Sequence, residues 1–290
     1  MSRITTRRFI QTAAGLFAGL VLAACSKQET PATPKSDSPA PVASAPAPAA
    51  RVYVVGTDAA YAPFESQNEK GEIVGFDIDV VKALAAQAGI KVKFVNTPWE
   101  GIFNALNQGD RDLLVSAVTI TDERRQTMDF SNPYFDAQQL IAVRNDSRIT
   151  QFDDLKKLKV GVQTGTTGDE AVSKLQGKTS SNIKRFESTP LALKELEAGG
   201  VDAVVADNGV VVHYVNNHVG AKFKTVSDTR FAAEQYGLPV KKGNTELLDK
   251  LNQGLAAIQA DGSYNQIYAR YFGTPPATRT VAAPAAAASR

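Results

Sequence analysis

Three short stretches of the sequence carry polar side chains of the kind that bind a small charged molecule. In "GTDAAYAPFES", Asp58 directly follows a β-rich run, and Tyr61 comes three residues later. In "SAVTITDERRQTMDFSNPY", an apolar run ends in hydroxyl residues that include Thr119, and Arg124 follows in a charged segment. In "VVADNG", Asp207 closes an apolar run. Since side chains at the ends of strands often line binding crevices, these stretches are candidates for one site.

The chemistry of these residues favours an amino acid as the bound molecule. The planar guanidinium of Arg124 matches a carboxylate, and the hydroxyl of Thr119 can add a hydrogen bond. Asp207 needs a cationic partner at the end of an apolar strand, and Asp58 offers a second acid beside aromatic rings. Each residue also has a plain structural explanation, namely a turn cap for Asp58, a solvated helix charge for Arg124 and a helix cap for Asp207. Together, however, the set is complementary to a free α-amino acid.

Motifs of catalysis and of metal or nucleotide binding are missing from the sequence. It contains no Gly-x-Ser-x-Gly elbow, and "GTTGDE" lacks the lysine and the length of a phosphate loop. His213 and His218 are five residues apart, without an acidic or thiol cluster beside them, so we interpret them as surface residues. We therefore expect a binding protein that is not an enzyme and that needs neither a metal nor a cofactor.

The charge of the chain gives no support to nucleic-acid binding. The 290 residues include 32 basic and 30 acidic side chains, a formal net charge of +2. Three of the arginines, and no acid, fall in residues 1–25. Without residues 1–50 and 274–290 the remainder holds 25 basic and 28 acidic residues. No basic run survives in this part, so we do not expect nucleic acid as a partner.

Both ends of the chain differ from its centre. Residues 1–25 combine arginines, a short apolar run and a final "LAAC", which is typical of a bacterial lipoprotein signal that is cut before a lipidated Cys25. "TRRFI" partly resembles a twin-arginine signal, so the export route stays open. Residues 26–50 are rich in Pro, Ala and Ser, which predicts a disordered tether, and residues 274–290 predict a similar tail.

The central part of the chain, residues 51–273, alternates β-rich runs with helical patterns. A first β-α-β-α-β series has predicted strands at 52–56, 91–95 and 112–118 and helices within "GFDIDVVKALAAQAG" and "WEGIFNALNQG". Asp77 is the predicted N-cap of the first of these helices, and Gly89 is its predicted stop. A second series begins near residue 139 and continues to the pattern "DGSYNQIYARYFG". Two such α/β units predict two lobes with a crevice at the carboxyl ends of their strands.

Five motifs extend this interpretation to a family. In order, the stretches "TDAAYAPFE", "GEIVGFDIDVVKAL", "TITDERRQTMDFSNPYF", "GVQTGTTGDEA" and "DGSYNQIYARYFG" resemble the family 3 extracellular solute-binding proteins. These are polar amino-acid-binding proteins of ABC importers, with glutamine-, histidine- and lysine/arginine/ornithine-binding members. The resemblance implies a type II-like periplasmic-binding-protein fold with two α/β lobes and a two-strand hinge. Lobe 1 would comprise residues 51–138 plus 235–273, lobe 2 residues 139–234, and the crossings would lie near 139–144 and 234–239.

The resemblance also implies roles for the main-chain end of the ligand. Arg124 should bind the α-carboxylate, helped by the hydroxyl and backbone of Thr119 and by the amide of Thr167. Asp207 should bind the α-ammonium together with the carbonyl of Ala117. Ala117 stands where relatives often have Gly or Ser, which should matter little if its backbone makes the contact.

Further roles concern the side-chain end of the ligand. Tyr61 and Trp99 match the walls that sandwich the ligand side chain, and Asp58 matches the acid at its far end. Gln163 stands where other members carry Lys or Leu. Asp58 between aromatic rings would suit a cationic side chain through charge pairing and cation–π contact. Glu65 could add a second negative charge nearby, although a residue at this position is more often exposed.

The identity of the ligand stays open at this point, with Lys, Arg or His favoured over Gln. We expect a monomer in the periplasm, held to a membrane by the lipid on Cys25, which closes around a free L-amino acid and docks on an ABC permease. Two other interpretations remain. The protein could be an enzyme similar to the periplasmic cyclohexadienyl dehydratases, or it could present its ligand to a receptor as a sensory input.

Overall fold

The computed structural model describes residues 51–218 and 222–275. The chain divides into two compact units, Met1–Ala47 and Pro48–Arg290, and every described residue belongs to the second unit. The predicted signal peptide with Cys25, the predicted tether 26–50 and residues 276–290 of the predicted tail lie outside the described residues. Within the described part, no helix is both long enough and apolar enough to cross a membrane.

The described residues form fourteen strands and eight α-helices. The strands are β1 (Val52–Thr57), β2 (Ala60–Tyr61), β3 (Glu65–Gln67), β4 (Ile73–Val74), β5 (Lys91–Asn96), β6 (Leu113–Leu114), β7 (Met128–Phe130), β8 (Phe135–Arg144), β9 (Val160–Gln163), β10 (Ile183–Phe186), β11 (Ala203–Asp207), β12 (Phe223–Val226), β13 (Ala233–Tyr236) and β14 (Pro239–Lys241). The helices are α1 (Phe76–Gln87), α2 (Trp99–Gln108), α3 (Asp122–Thr127), α4 (Thr167–Gln176), α5 (Thr189–Ala198), α6 (Asn208–Asn217), α7 (Thr245–Ala260) and α8 (Ser263–Phe272). A 3₁₀ helix covers Phe152–Lys157.

Two main sheets give the protein its two lobes. The sheet of the first lobe has the order β5-β1-β6-β14-β7, and that of the second lobe has the order β10-β9-β11-β8-β12. β1 pairs in parallel with β5 and β6, and β9 pairs in parallel with β10 and β11, because helices connect these strands. A small third sheet has the order β2-β3-β4. The prediction of a two-lobed α/β fold is confirmed.

Two strands pass between the lobes and lie side by side. Residues 135–138 of β8 pair with β13 in antiparallel register, whereas residues 139–143 pair with β11 in the second sheet. The chain enters the second sheet through β8 and returns through β13 to β14, which belongs to the first sheet. The lobe boundaries at 138/139 and 234/235 stay predictions. In the structure, β8 changes its partner from β13 to β11 between residues 138 and 139, and residues 234 and 235 lie within β13.

The helix α1 begins one residue earlier than its predicted cap. The N-cap is Gly75, whereas Asp77 is the second helical residue and is fully buried, so the prediction of Asp77 as the cap was wrong. The carboxylate of Asp77 instead accepts hydrogen bonds from the backbone N–H of Ala117 and the hydroxyl of Tyr134. The sequence around Asp77 cannot distinguish a helix cap from this buried role, because the buried role depends on partners that are distant along the chain. The predicted stop is in place, since Gly89 follows α1 with a φ of 64°.

The third predicted strand is shorter in the structure than in the sequence pattern. Only Leu113–Leu114 pair as β6, although the apolar pattern continues to Val118. Ser116 binds the backbone of Asp58 through its side chain, and Ala117 has a φ of 45°, outside the extended region. The chain therefore leaves the sheet early and lines the crevice between the lobes.

Aromatic packing fills the first lobe close to the crossing strands. Phe64 is fully buried and contacts the rings of Phe135 and Tyr236, with centroid separations of 4.9 and 5.4 Å. Val210, from helix α6 beside the second sheet, belongs to the same buried cluster. The two lobes are therefore in apolar contact next to the hinge, which fixes the position of the strands that end at the crevice.

We predict opposite effects for two Gly→Ala substitutions in helices. A Cβ on Gly254 of α7 would lie 2.3 Å from the carbonyl oxygen of Leu84 in α1, so Gly254→Ala must force the two helices apart. We expect a loss of about 1–3 kcal/mol in the free energy of unfolding. A Cβ on Gly101 of α2 would meet nothing within 4 Å, so Gly101→Ala should add about 0.5–1 kcal/mol through helix propensity. Urea unfolding measures the free energy of unfolding of both variants. Equal changes in the two variants would contradict the close contact between Gly254 and Leu84.

Candidate ligand-binding site

A cavity of about 310 Å³ lies between the lobes, at the ends of strands from both sheets. It is lined by Asp58, Tyr61, Trp99, Ser116, Ala117, Thr119, Arg124, Gln163, Thr166, Thr167 and Asp207. The structure thus brings together all nine residues that the sequence analysis proposed for ligand contact. Two more, Ser116 and Thr166, were not proposed.

Arg124 is held at one wall of the cavity by several contacts. Its backbone N–H donates to the hydroxyl of Thr121, the N-cap of α3, at 3.1 Å. Nη1 donates to the carbonyl oxygen of Thr119 at 2.8 Å, and the guanidinium carbon lies 5.4 Å from the ring centroid of Trp99 and 5.2 Å from that of Phe103. Burial lowers the pKa of Arg124, but a guanidinium remains charged in proteins. A fixed, partly desolvated cation of this kind is suited to bind a carboxylate.

The guanidinium of Arg124 is not paired with an acid in the part of the chain that the structure describes. Among residues 51–218 and 222–275, no carboxylate oxygen lies within 4.0 Å of its guanidinium nitrogens. The adjacent acids Asp122 and Glu123 are exposed, whereas Arg124 is half-buried. The alternative of a solvated helix charge therefore does not describe its environment.

The N-terminus of α4 faces Arg124 from the second lobe. Thr166 is the N-cap, and its hydroxyl accepts from the backbone N–H of Asp169 at 3.2 Å. Thr167 opens the helix, where backbone N–H groups have no partner within the helix and favour negative charge. Nη2 of Arg124 donates to the carbonyl oxygen of Gly165 at 3.4 Å, which connects the two lobes at this point. An anion placed here would meet a guanidinium from one lobe and helix amides from the other.

Asp207 provides a buried acid at the end of β11. Although it occupies the N-cap position of α6, its side chain makes no capping hydrogen bond. Its carboxylate instead accepts from the hydroxyls of Tyr61 at 2.8 Å and Tyr236 at 2.6 Å and from Nε2 of Gln139 at 2.5 Å. Burial raises the pKa of Asp207 to about 6, with a further contribution from the negative charge of Glu234. An ammonium group beside it would relieve both effects.

Asp58 and Gln163 meet across the crevice. Nε2 of Gln163 donates to the Asp58 carboxylate at 3.2 Å and to the carbonyl oxygen of Glu187 at 3.0 Å, while Oε1 accepts from the hydroxyl of Thr189 at 3.1 Å. Burial raises the pKa of Asp58, and the hydrogen bond from Gln163 lowers it. In the part of the chain that the structure describes, no cationic side chain lies within 4.0 Å of Asp58.

Two aromatic side chains form walls of the cavity. Tyr61 is buried and stacks on Phe64 at a centroid separation of 6.2 Å. Trp99 opens α2 and packs edge-on against Phe103 at 5.0 Å. These contacts hold both rings in place at the cavity wall.

The floor of the cavity rests on a buried pair of acids. The hydroxyl of Ser116 accepts from the backbone N–H of Asp58 at 3.0 Å and donates to Oε1 of Glu65 at 2.8 Å. The N–H of Ala117 donates to Oδ2 of Asp77 at 2.8 Å, which holds Ala117 in the left-handed region that non-glycine residues seldom occupy. Asp77 therefore fixes the backbone N–H of Ala117 directly, and Glu65 fixes the backbone N–H of Asp58 through Ser116.

Glu65 and Asp77 form a buried pair of acids, and the pKa of each is raised. Oε2 of Glu65 and Oδ1 of Asp77 are both buried, and neither has another partner among the described residues. Burial raises the pKa of Glu65 well above its usual range, and the neighbouring charge of Asp77 raises it further. Burial also raises the pKa of Asp77 to about 6, although a hydrogen bond from Glu65 opposes this. A neutral Glu65 that donates to Asp77 would satisfy both atoms. The full burial of Glu65 contradicts the alternative of an exposed residue at this position.

Glu234 is a further acid near the cavity that the sequence analysis did not propose. Its Oε2 accepts from the hydroxyls of Thr119 at 2.7 Å and Thr167 at 2.9 Å. The hydroxyl hydrogen of Thr119 therefore points to Glu234 in this structure. Nothing in the segment "AAEQYG" indicates this role, because the partners of Glu234 are 67 and 115 residues away.

The two histidines lie away from the cavity. His213 is half-buried on α6, and His218, at the end of that helix, is exposed with its ring stacked on Tyr214 at 3.8 Å. Within the described ranges, no group of three or more His, Cys, Asp or Glu residues could hold a metal ion.

The motifs and the fold agree with a known family. The family described as bacterial extracellular solute-binding proteins, family 3, matches residues 53–274. The chain belongs to this family. The match covers the two lobes and the crossing strands, and so contains every element that lines the cavity.

Three proteins illustrate what this solute-binding protein is similar to. A probable histidine-binding protein of Neisseria gonorrhoeae is 44% identical over 256 residues, which cover 87% of this chain and 91% of that protein. The arginine-, lysine-, histidine-binding protein ArtJ of Geobacillus stearothermophilus is 43% identical with a TM-score of 0.76, over 78% of this chain and 97% of ArtJ. The ancestral amino acid-binding protein AncCDT-1, a precursor of cyclohexadienyl dehydratase, is 39% identical with a TM-score of 0.70, over 76% and 95% of the two chains.

We predict that Glu65→Gln changes the pH dependence of stability. The acid pair has folded-state pKa values above the usual 4.5 for Glu and 3.8 for Asp, so its contribution is fully present below about pH 4. That contribution is lost as the pH rises through about 6, where Asp77 ionises in the folded protein, and beyond. In Glu65→Gln, an amide N–H can donate to ionised Asp77 while the carbonyl oxygen accepts from Ser116.

Thermal unfolding between pH 5 and pH 8 measures this effect. The wild type should lose stability over this range, and Glu65→Gln should lose less, so that the variant melts higher at pH 8. A gain of about 1 kcal/mol corresponds to about 2–4 °C in Tm for a domain of this size. Glu69→Gln, which changes an exposed glutamate, is the matched control and should follow the wild type. Parallel pH profiles for the wild type and Glu65→Gln would contradict a shared proton.

Proposed function

We propose that this solute-binding protein captures a free basic L-amino acid, Arg, Lys or His, between its lobes and delivers it to the permease of an ABC importer. The observation that carries the proposal is a single cavity that combines a helix N-terminus, two separate acids and an arginine that pairs with no acid among the described residues. The names of the relatives point the same way, since they describe proteins that bind histidine or arginine, lysine and histidine.

The main-chain groups of an amino acid have complementary partners in the cavity. The α-carboxylate would lie between the Arg124 guanidinium and the first amides of α4, including that of Thr167. The α-ammonium would lie against the buried carboxylate of Asp207, with the carbonyl of Ala117 as a second acceptor. These contacts come from both lobes, so one ligand can bridge them.

Asp58 is proposed to determine which amino-acid side chain the cavity accepts. After Arg124 and Asp207 have been matched by the α-groups, Asp58 is left with a hydrogen bond from Gln163 and no cationic partner among the described residues. A basic side chain that passes between Tyr61 and Trp99 would supply that charge and would gain cation–π contact. Glutamine remains the alternative, because its amide could also donate to Asp58.

Capture on this view is a conformational equilibrium. Each lobe alone presents part of the contacts, and the ligand has its full set only when the lobes are closed. Its differential affinity for the closed form therefore drives closure about the two crossing strands. The closed form would then dock on the permease in the cytoplasmic membrane.

The setting of this function follows from the sequence. Family membership supports a place outside the cytoplasm, and we propose the periplasm. Attachment to a membrane through a lipid on Cys25 and a monomeric state stay predictions. An enzyme of the cyclohexadienyl dehydratase type is the alternative from another class, and formation of phenylpyruvate from prephenate would reveal it.

We predict that Arg124→Ala removes tight binding without unfolding the protein. A ligand carboxylate without its guanidinium would cost about 2–5 kcal/mol, or about 30-fold to several-thousand-fold in Kd. Arg125→Ala, at the exposed next residue, is the matched control and should bind like the wild type. Calorimetric titration measures affinity, and circular dichroism reports folding. Unchanged affinity in folded Arg124→Ala would refute the assignment of the carboxylate site.

We predict tight binding, at about micromolar Kd or better, only for amino acids with a basic side chain. Isothermal titration calorimetry of residues 26–290 against the proteinogenic amino acids plus ornithine tests this, after unfolding and refolding to remove any bound ligand. Asp58→Asn should weaken binding of Arg or Lys by about 2 kcal/mol or more, because it removes a charged partner. It should leave glutamine binding much less affected.

Three results would change the proposal. Tight binding of Gln alone would keep the amino-acid site and overturn the choice of a basic ligand. Equal loss for Arg and Gln in Asp58→Asn would remove Asp58 from side-chain selection. No binding across the panel would contradict the amino-acid site, and the prephenate assay would then decide on the enzyme.

A further inference from the structure

Glu234 connects the two lobes from behind the cavity. It lies on β13, one of the two crossing strands, and is half-buried. Its Oε2 accepts from the hydroxyls of Thr119 at 2.7 Å and Thr167 at 2.9 Å, and its Oε1 accepts from Nε2 of Gln139 at 3.2 Å. Hydrogen bonds to a charged acceptor are among the stronger ones in proteins.

The donors belong to different lobes. Thr119 follows β6 and forms an isolated bridge with Tyr236, beside the first sheet. Thr167 is the first residue of α4, which packs on β9 and β11 of the second sheet. One carboxylate oxygen thus joins a hydroxyl of the first lobe to a hydroxyl of the second. Any opening that separates these two residues must break at least one of the two bonds.

Glu234 does not line the cavity in which the ligand is proposed to bind. Thr119 and Thr167 line that cavity, and they also line a second, more open one of about 1470 Å³, to which Glu234 does contribute. The two threonine hydroxyls and the Glu234 carboxylate therefore lie between the two cavities. Because each hydroxyl has one hydrogen, and both hydrogens point to Glu234, a ligand in the first cavity would rely on Arg124 and backbone amides for its anionic group.

We propose that Glu234 is a latch that stabilises the closed arrangement of the lobes and thereby slows release of the ligand. The latch deepens the proposed function, since it acts on the same closing movement. A closed form that is more populated without ligand raises the apparent affinity in proportion to its fraction. Glu234 would thus be a positioning residue, whose removal acts on closure rather than on a direct contact with the ligand.

The test follows the lobes directly in Glu234→Ala. Residues 26–290 contain no cysteine, so Asn107→Cys on the first lobe and Lys178→Cys on the second can carry a donor and an acceptor dye at exposed positions. Single-molecule energy transfer without ligand measures the closed fraction. We expect a lower closed fraction in Glu234→Ala than in the wild type. Equal closed fractions in the two proteins would overturn the latch. This part of the test needs no ligand.

A second arm measures release. Trp99 is the only tryptophan of the chain and lines the cavity, so its fluorescence can follow dissociation of arginine in a stopped-flow experiment. We expect dissociation at least about 10-fold faster in Glu234→Ala, with a smaller change in the association rate. Glu234→Gln, which keeps an acceptor for the threonines but loses the charge, should fall between. Weaker binding with an unchanged dissociation rate would overturn the latch.

Glu170→Ala is the matched control for charge. Glu170 lines the second cavity with Glu234, and the negative charges of both act to raise the pKa of Arg124. If Glu234 acted only through its negative charge, Glu170→Ala would reproduce its effect on release, and that result would overturn the latch. Circular dichroism confirms folding of each variant. Failure of the wild type to bind any amino acid would refute the proposed function, while the arm without ligand would still decide on the latch.

Discussion

The junction of the lobes depends on the burial of negative charge. Asp207 is buried where the second lobe meets the first, and a carboxylate in such a place is costly unless donors surround it. Its donors are the hydroxyls of Tyr61 and Tyr236 and the amide of Gln139, which come from the first lobe and the crossing strands. The complete set of donors to this one acid is therefore assembled only when the lobes and the crossing strands are arranged as in this structure.

A second system of acids supports the other side of the cavity. Glu65 and Asp77 lie fully buried under Ser116 and Ala117, and they bind the backbone or side-chain donors of both residues. Asp58 is joined to the same network through its backbone N–H and the hydroxyl of Ser116. The cavity thus has rigid polar groups on both sides, and the strained backbone at Ala117 persists because these bonds over-determine it. Preorganisation of this kind lowers the entropic cost of ordering the site when a ligand binds.

The fold and the location of the site could largely be predicted from the sequence. The alternation of β-rich and helical patterns reflects burial on both faces of parallel strands, and so the two α/β units were recognisable. The predicted strands 52–56 and 91–95 end one residue before β1 and β5 do, because a β-rich run is a local signal. The chemically distinctive residues also follow strand ends or open helices, and the carboxyl ends of strands meet at one crevice. For this reason the residues chosen from their chemistry line one cavity, namely Asp58, Tyr61, Thr119, Arg124 and Asp207. The other four contact residues came from the resemblance to the family.

The tertiary structure alone decided how the acids are used. Asp77 has the sequence context of a helix cap, yet it binds Ala117 and Tyr134, which are 40 and 57 residues away. Glu65 has the sequence context of an exposed residue, but its burial beside Asp77 raises its pKa well above the usual range. Glu234 gains its importance only when Thr119 and Thr167 approach from two lobes. The sequence by itself determined which polar groups the protein has and on which elements they lie. Their charge state and partners depend on desolvation and on contacts between distant segments, so only the folded chain could decide them.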